Sequence, residues 1–374
     1  MTIAIDTTTL PVPAQKILDA TAPAPLRQMA AKGIAPGLKP ADALAVVALL
    51  AESPDAALAA TAKATLDKLP APLLNGALGA QLSAGLLDAL APRFAQDAAV
   101  MEKVLAQANL SSETVSNVAA VANEAVAELI AVNEERLLGA PAIIEKLYMN
   151  KATRMSTADR LIELAVRNGL ELKGIPAFRE AAQAIANELI AEPSAEPTPD
   201  DILFKEIDAE SAALPDEAVK EDTHQLDETS GEEVVKEKFL PLHAKLGDMS
   251  ISQKIRRAML GSATERSILV RDKNKLVASA AIRSPKIQDN EVVLISNSRN
   301  VSDEVLRIIA TNREWTQSHQ IKLNLVMNPR TPFVYSSKLI AFLREHELKA
   351  LAKSKNVTGA VAQAARQQLN RKGK

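Results

Sequence analysis

The chain has no cysteine among its 374 residues. That excludes disulfides, thiolate-held zinc, iron–sulfur clusters and thiol catalysis. Aromatic residues are scarce as well: six Phe, two Tyr and one Trp. Since 47% of the residues are hydrophobic, the apolar material is mostly Ala, Leu, Val and Ile, which suits close helix packing and gives few large core anchors. The 13 glycines are scattered singly. They build no P-loop, dinucleotide fingerprint or G-x-S-x-G elbow, and fit better as helix ends, as at Gly169 and Gly261. No run approaches the roughly 18 apolar residues of a membrane span. The opening MTIAIDTTTLPVPAQ lacks the basic-then-apolar order of a signal peptide. The expectation is a cytoplasmic protein.

Charge is present but unevenly placed. Against a formal net of −2, residues 1–191 carry 16 basic and 20 acidic side chains, 192–235 carry 2 and 15, and 236–374 carry 26 and 11. The three stretches are therefore −4, −13 and +15, a polarity that says more about interactions than the total does.

The sequence also echoes itself. EVVLISNSRNVSDEVLRII (291–309) returns 56 residues later as ELKALAKSKNVTGAVAQAA (347–365), and ANLSSE (108–113) matches RNVSDE (299–304). Met149-Asn150 with Thr153 and Leu161-Ile162 recurs as Met327-Asn328 with Thr331 and Leu339-Ile340 at the same spacing. Self-similarity in helical sequence is the mark of stacked repeats.

Between these echoes lie many short helical segments. Lys39-Pro40-Ala41-Asp42 leads into ALAVVALLA, and Pro54-Asp55 into AALAATAKATLDKL. In both, Pro and Asp fall where a first helical turn accepts them. Such short helices must bury their apolar stripes on neighbours. The expected fold is all-α: a flexible N-terminus (1–22), an Ala-rich helical-repeat domain (23–191), an acidic disordered linker (192–238) and a basic helical-repeat domain (239–374). Low apolar content and self-repulsion argue for the linker, with Ile202-Leu203-Phe204 and Ile207 as a transient amphipathic turn. MSISQKIRRAMLG (249–261) reads as a helix capped by Ser250 or Ser252, with Lys254, Arg256 and Arg257 as its basic face.

Helices ending in Asn-Pro, then a turn with Thr-Pro or Asn-Val-Ser and another small helix, resemble leucine-rich-repeat-variant and HEAT-like α-solenoids. Asn328-Pro329-Arg330-Thr331-Pro332 carries the likeness best, with Ser284-Pro285 and Asn300-Val301-Ser302 as degenerate forms. The basic third also looks like a module of uncharacterised bacterial proteins. The resemblance spans 250–370 and, more thinly, 70–170, and implies a curved helical stack that binds something. An iron–sulfur-bearing type of that family has an N-terminal cysteine cluster, absent here, so that cofactor does not carry over.

Catalytic patterns are not found in the sequence. His346-Glu347 begins like HExxH, but position 350 is Ala, so the second ligand is missing. Ser262, Thr264 and Glu265 read as a capping box. No catalytic residue, metal or cofactor is expected. The densest unusual cluster is Asn312-Arg313-Glu314-Trp315 with its surroundings. Arg299, Arg307, Arg313, Trp315, His319, Lys322, Asn328 and Arg330 form the candidate binding surface, with Trp315 alternatively filling a gap between repeats. Two partners are open: a protein, making the chain a scaffold or adaptor, or nucleic acid or another polyanion. The second would use a stripe of Arg256, Arg257, Arg271, Lys273, Lys275, Arg283, Lys286, Arg299, Arg307 and Arg313. The acidic linker could also mask that stripe from within.

Overall fold

The computed structural model describes residues 5–186, 190, 192–194, 196–213, 222–227 and 233–372. Among these the fold is mostly helical, with 24 α-helices and one two-stranded hairpin. Its contacts divide the chain into two compact units, 1–154 and 155–374.

Unit 1 holds α1 (Val12–Leu18), α2 (Ala24–Ala31), α3 (Pro40–Leu50), α4 (Ala56–Asp67), α5 (Ala71–Leu78), α6 (Ala84–Leu90), α7 (Ala98–Leu105), α8 (Ser112–Ala119), α9 (Glu124–Ala131), α10 (Glu134–Gly139) and α11 (Pro141–Met149). The starts follow local chemistry. Pro40 and Pro141 open α3 and α11, and the side chains of Asp55, Asp97, Ser111 and Asn123 accept backbone N–H groups at the starts of α4, α7, α8 and α9. Most of α3 is buried, and it packs on α1, α2, α4 and α5. Alanine at that density lets the backbones approach closely.

Unit 2 holds α12 (Met155–Arg167), α13 (Phe178–Ile185), α14 (Pro199–Ala213), β1 (His224–Leu226), β2 (Glu233–Val235), α15 (Leu240–Asp248), α16 (Ile251–Leu260), α17 (Ala263–Leu269), α18 (Lys275–Ile282), α19 (Asp289–Asn297), α20 (Asp303–Thr311), α21 (His319–Met327), α22 (Phe333–Ile340), α23 (Glu345–Lys353) and α24 (Gly359–Lys372). Helices here pack on the next but one: α16 on α18, α18 on α20, α19 on α21, α20 on α22 and α22 on α24. The α1–α3, α2–α4 and α3–α5 pairs show the same step in unit 1.

The sequence echoes have structural counterparts. The 56-residue echo aligns the sequence of α19–α20 with that of α23–α24, and Ser302 caps α20 as Ser111 caps α8. Leu110 and Val301, which precede those caps, are both buried. The Met-Asn echo is closer still. Asn150 donates from Nδ2 to the carbonyls of Ala119 (2.9 Å) and Ala122 (2.8 Å), and its Oδ1 accepts from Ala152 N–H. Asn328 donates to Ser296 O (3.1 Å) and Ser298 O (2.7 Å), and accepts from Arg330 N–H. In each case one buried amide satisfies carbonyls at the end of a helix some thirty residues upstream, groups that helix termini leave without partners.

Two sequence expectations differ from this architecture. The expected acidic disordered linker, 192–238, instead has 199–213 as α14, with Phe204 and Ile207 in the core, and 224–226 paired antiparallel with 233–235 in the register His224↔Val235. Residues 195, 214–221 and 228–232 of this region lie outside the described ones. The physical reason is counter-charge: its carboxylates pair with basic side chains far along the chain rather than repelling one another. The second concerns α16, whose Arg256 and Arg257 are fully buried and form no basic face.

Candidate functional site

The side chains with the strongest electrostatic coupling lie where the acidic segment meets α16 and α17. Ser250 and Gln253 form a reciprocal cap on α16, and Ser262 and Glu265 do the same on α17. The α17 cap borders the turn at Gly261, where an added Cβ would stand 2.5 Å from Glu265 Oε2 and 2.6 Å from Arg257 O. Only glycine lets the backbone come that close. Across this turn Arg257 donates from Nε to Glu265 Oε2 (2.7 Å) and from Nη2 to Oε1 (2.6 Å), a bidentate pair with no exposed side-chain surface. Its third nitrogen, Nη1, donates to Asp208 of α14 at 3.0 Å. Phe204 of the same helix stacks 4.9 Å from the guanidinium carbons of both Arg256 and Arg257. Burial alone would lower the Arg257 pKa, but the carboxylates of Glu265 and Asp208 outweigh it and hold the charge.

The same logic recurs one turn on. Arg266 forks onto Glu291 at 3.0 and 2.8 Å and donates to Gly261 O. Arg271 donates to both Asp222 oxygens (3.0 and 2.8 Å) and lies 3.6 Å from Glu233. Glu233 also accepts from Ser298 Oγ and Arg299 N–H. At the other end of the acidic segment, Asp201 accepts from Thr198 N–H (2.8 Å), Ser156 N–H (2.9 Å) and Ser156 Oγ (3.0 Å). One buried carboxylate thus caps α12 and α14 together. Burial pushes its pKa up, and these donors more than reverse the shift, leaving it below the ordinary aspartate value.

His224 supplies a pH dependence to this assembly. Burial, then the charges of Arg271 and His243, push it down to about 3. Unfolding restores an ordinary value near 6.5, so on acidification the unfolded chain binds a proton that the folded chain refuses. Stability is then complete above about pH 6.5 and declines below it, by up to about 1.4 kcal/mol per pH unit. Thermal midpoints from pH 7.5 down to 4.5 should fall in the wild type and fall less in His224→Gln. Equal slopes would refute the assignment.

The eight residues of the sequence-derived surface scatter through roles. His319 Nε2 meets Glu347 at 2.8 and 3.0 Å. Burial raises the Glu347 pKa, but the Arg344 N–H and His319 together bring it below the ordinary value. Lys322 stands 5.4 Å from the Phe342 ring centroid, and Arg307 is tied to Glu304. Arg330 donates to Val301 O and Asn328 spends its amide on backbone carbonyls. Trp315 is half-buried in a 3₁₀ turn (Trp315–Gln317), while Arg299 and Arg313 are exposed. Of the proposed basic stripe, Arg256 and Arg257 are buried, and Arg271 nearly so, at 4% side-chain exposure. Those three do not present a phosphate-binding row. Sequence reasoning missed Asp208 as a partner of Arg257, Asp222 and Glu233 as partners of Arg271, Asp201 as the shared cap of α12 and α14, and Phe333, Val334 and Phe342 as exposed apolar groups. The Ile202–Ile207 amphipathic turn was the available signal for α14.

Unit 1 contributes a cavity of about 910 Å³ between α4, α6 and α8, lined by Glu52, Lys63, Asp88, Arg93 and Thr114 among others. Within it Thr114 Oγ1 and Ser111 Oγ both donate to Asp88, while Arg93 pairs with Asp67 outside the lining. No helix among the described residues is long and apolar enough to cross a membrane. Compared with known proteins, the chain matches no family model, no curated protein and no solved structure.

Proposed function

We propose that each unit is a short α-solenoid and that the chain works as a non-enzymatic scaffold or adaptor in the cytoplasm, holding a protein partner on its helical surfaces. The solenoid reading is supported by the next-but-one helix packing and by the matched Asn150 and Asn328 bridges between neighbouring repeats. The binding reading rests chiefly on one observation: Met327, Phe333, Val334 and Phe342 of consecutive helices are between 45% and 65% exposed. Large apolar side chains left exposed on successive helical segments are what protein interfaces present. A second reading, polyanion binding, is favoured by the charge of the last sixty residues, where 11 basic side chains face two acidic ones. A photo-crosslinking residue at Ser337, or at Val132 in unit 1, separates the two. Illumination in cells should give a discrete protein adduct that nuclease leaves unchanged; a nuclease-sensitive smear would transfer the function to the polyanion reading.

A further inference from the structure

Unit 2 provides its own acidic cover for part of its basic helices. The ion pairs of the acidic segment described above fall on Arg257 and Arg271, and its hydrogen bonds reach Ser298, Arg299 and Asn300. Residues 315–374 follow with 11 Lys and Arg against Glu345 and Glu347. Both of those acids are engaged, Glu345 by Lys349 and Glu347 by His319. This same stretch carries the exposed apolar side chains. Val334, Lys338 and Phe342 recur at steps of four along α22 and its C-terminal turn, so they share one face. Val334 is 61% and Phe342 65% exposed, and Lys322 of α21 reaches over the Phe342 ring. Lys338 is exposed and makes no ion pair among the described residues.

We propose that this α21–α22 face docks an acidic amphipathic helix of a protein partner, apolar side chains covering Val334 and Phe342 and carboxylates meeting Lys322 and Lys338. The proposal rests on the protein-binding reading and names the chemistry of the partner. Charge complementarity carries it, and the chain displays the same mode internally: α14 buries Phe204 and Ile207, stacks Phe204 on two guanidiniums, and sets Asp208 on Arg257. Nucleic acid would use the lysines and the Phe342 ring as a stacking platform, but it would leave Val334 and Met327 with nothing apolar to cover them. The aliphatic Val334 and Met327 suit the apolar stripe of a helix.

The probe is a fluorescent peptide of residues 199–213, PDDILFKEIDAESAA, with five acids and one lysine, compared with an oligothymidylate of similar length. Anisotropy is measured on the full chain, on Lys338→Glu with Phe342→Ala, and on Lys338→Glu alone, a fully surface change. The peptide should bind the wild type, and the double variant should bind at least about tenfold more weakly with an unchanged thermal midpoint. Lys338→Glu alone should also weaken it, which keeps the test decisive if the double variant misfolds. Equal affinity in wild type and variants would mean that the peptide enters the α14 groove instead; that, or no peptide binding at all, overturns the docking site and leaves the wider protein-binding reading to the crosslinking result. Oligothymidylate binding that exceeds peptide binding and disappears in the variants would overturn both.

Discussion

Arg257→Ala should destabilise unit 2 by about 3 to 5 kcal/mol, the cost of leaving a buried charge without its partner. The charge left behind is Glu265, which has no exposed side-chain surface. It cannot turn to water without abandoning Ser262 N–H, the donor it satisfies at the start of α17. Asp208, at 35% exposure, loses less, so the penalty concentrates on Glu265. The loss is not a measure of what the ion pair contributes, because bringing both charges out of water costs several kcal/mol in its own right. Arg257→Met combined with Glu265→Leu should therefore recover most of the stability that Arg257→Ala loses. Chemical denaturation of the wild type, the matched singles Arg257→Met and Glu265→Leu, and the double variant gives the coupling. If the double variant is as unstable as Arg257→Met, Arg257 acts through Asp208 and Phe204 rather than through Glu265.

Helix starts were legible because they are written locally. Pro40, Asp55 and Ser262 each open a helix within one turn of where composition and capping place it. The Asn150 and Asn328 echo was legible for a related reason: each amide must reach two backbone carbonyls near the end of an upstream helix, which narrows the residue type. Long-range pairing was not legible. Arg257 finds Asp208 and Arg271 finds Asp222 49 residues away, and Glu233 reaches Ser298 65 residues on. A local window sees like charges repelling and a basic helix facing water. The paired chain instead contains a neutralised and partly buried arginine cluster. The exposed Phe342 was hidden for the opposite reason, since LIAFL reads as core and only the packing of α22 shows which side is covered.

Removing the acidic segment should abolish the fold of the basic helices rather than unmask them. A fragment of 155–374 should melt in one cooperative transition, and 239–374 should show none. Loss of α14 uncovers the pocket that Phe204 and Ile207 fill, 2% and 0% exposed, and a missing core Phe alone costs about 3 to 5 kcal/mol. It also takes Asp208 from Arg257, and loss of the hairpin takes Asp222 and Glu233 from Arg271. Two buried or nearly buried guanidiniums would then lack part of their counter-charge, and domains are stable by only about 5 to 15 kcal/mol in total. Loss of α12 and α13 adds to this, since α13 packs on both α16 and α18. A removable inhibitory tether predicts the reverse: 239–374 would stay folded and bind polyanions more tightly than 155–374. Circular dichroism melts of the two fragments, with heparin titrated into each, decide between an integral core segment and a tether. A cooperative melt of 239–374 would restore the tether.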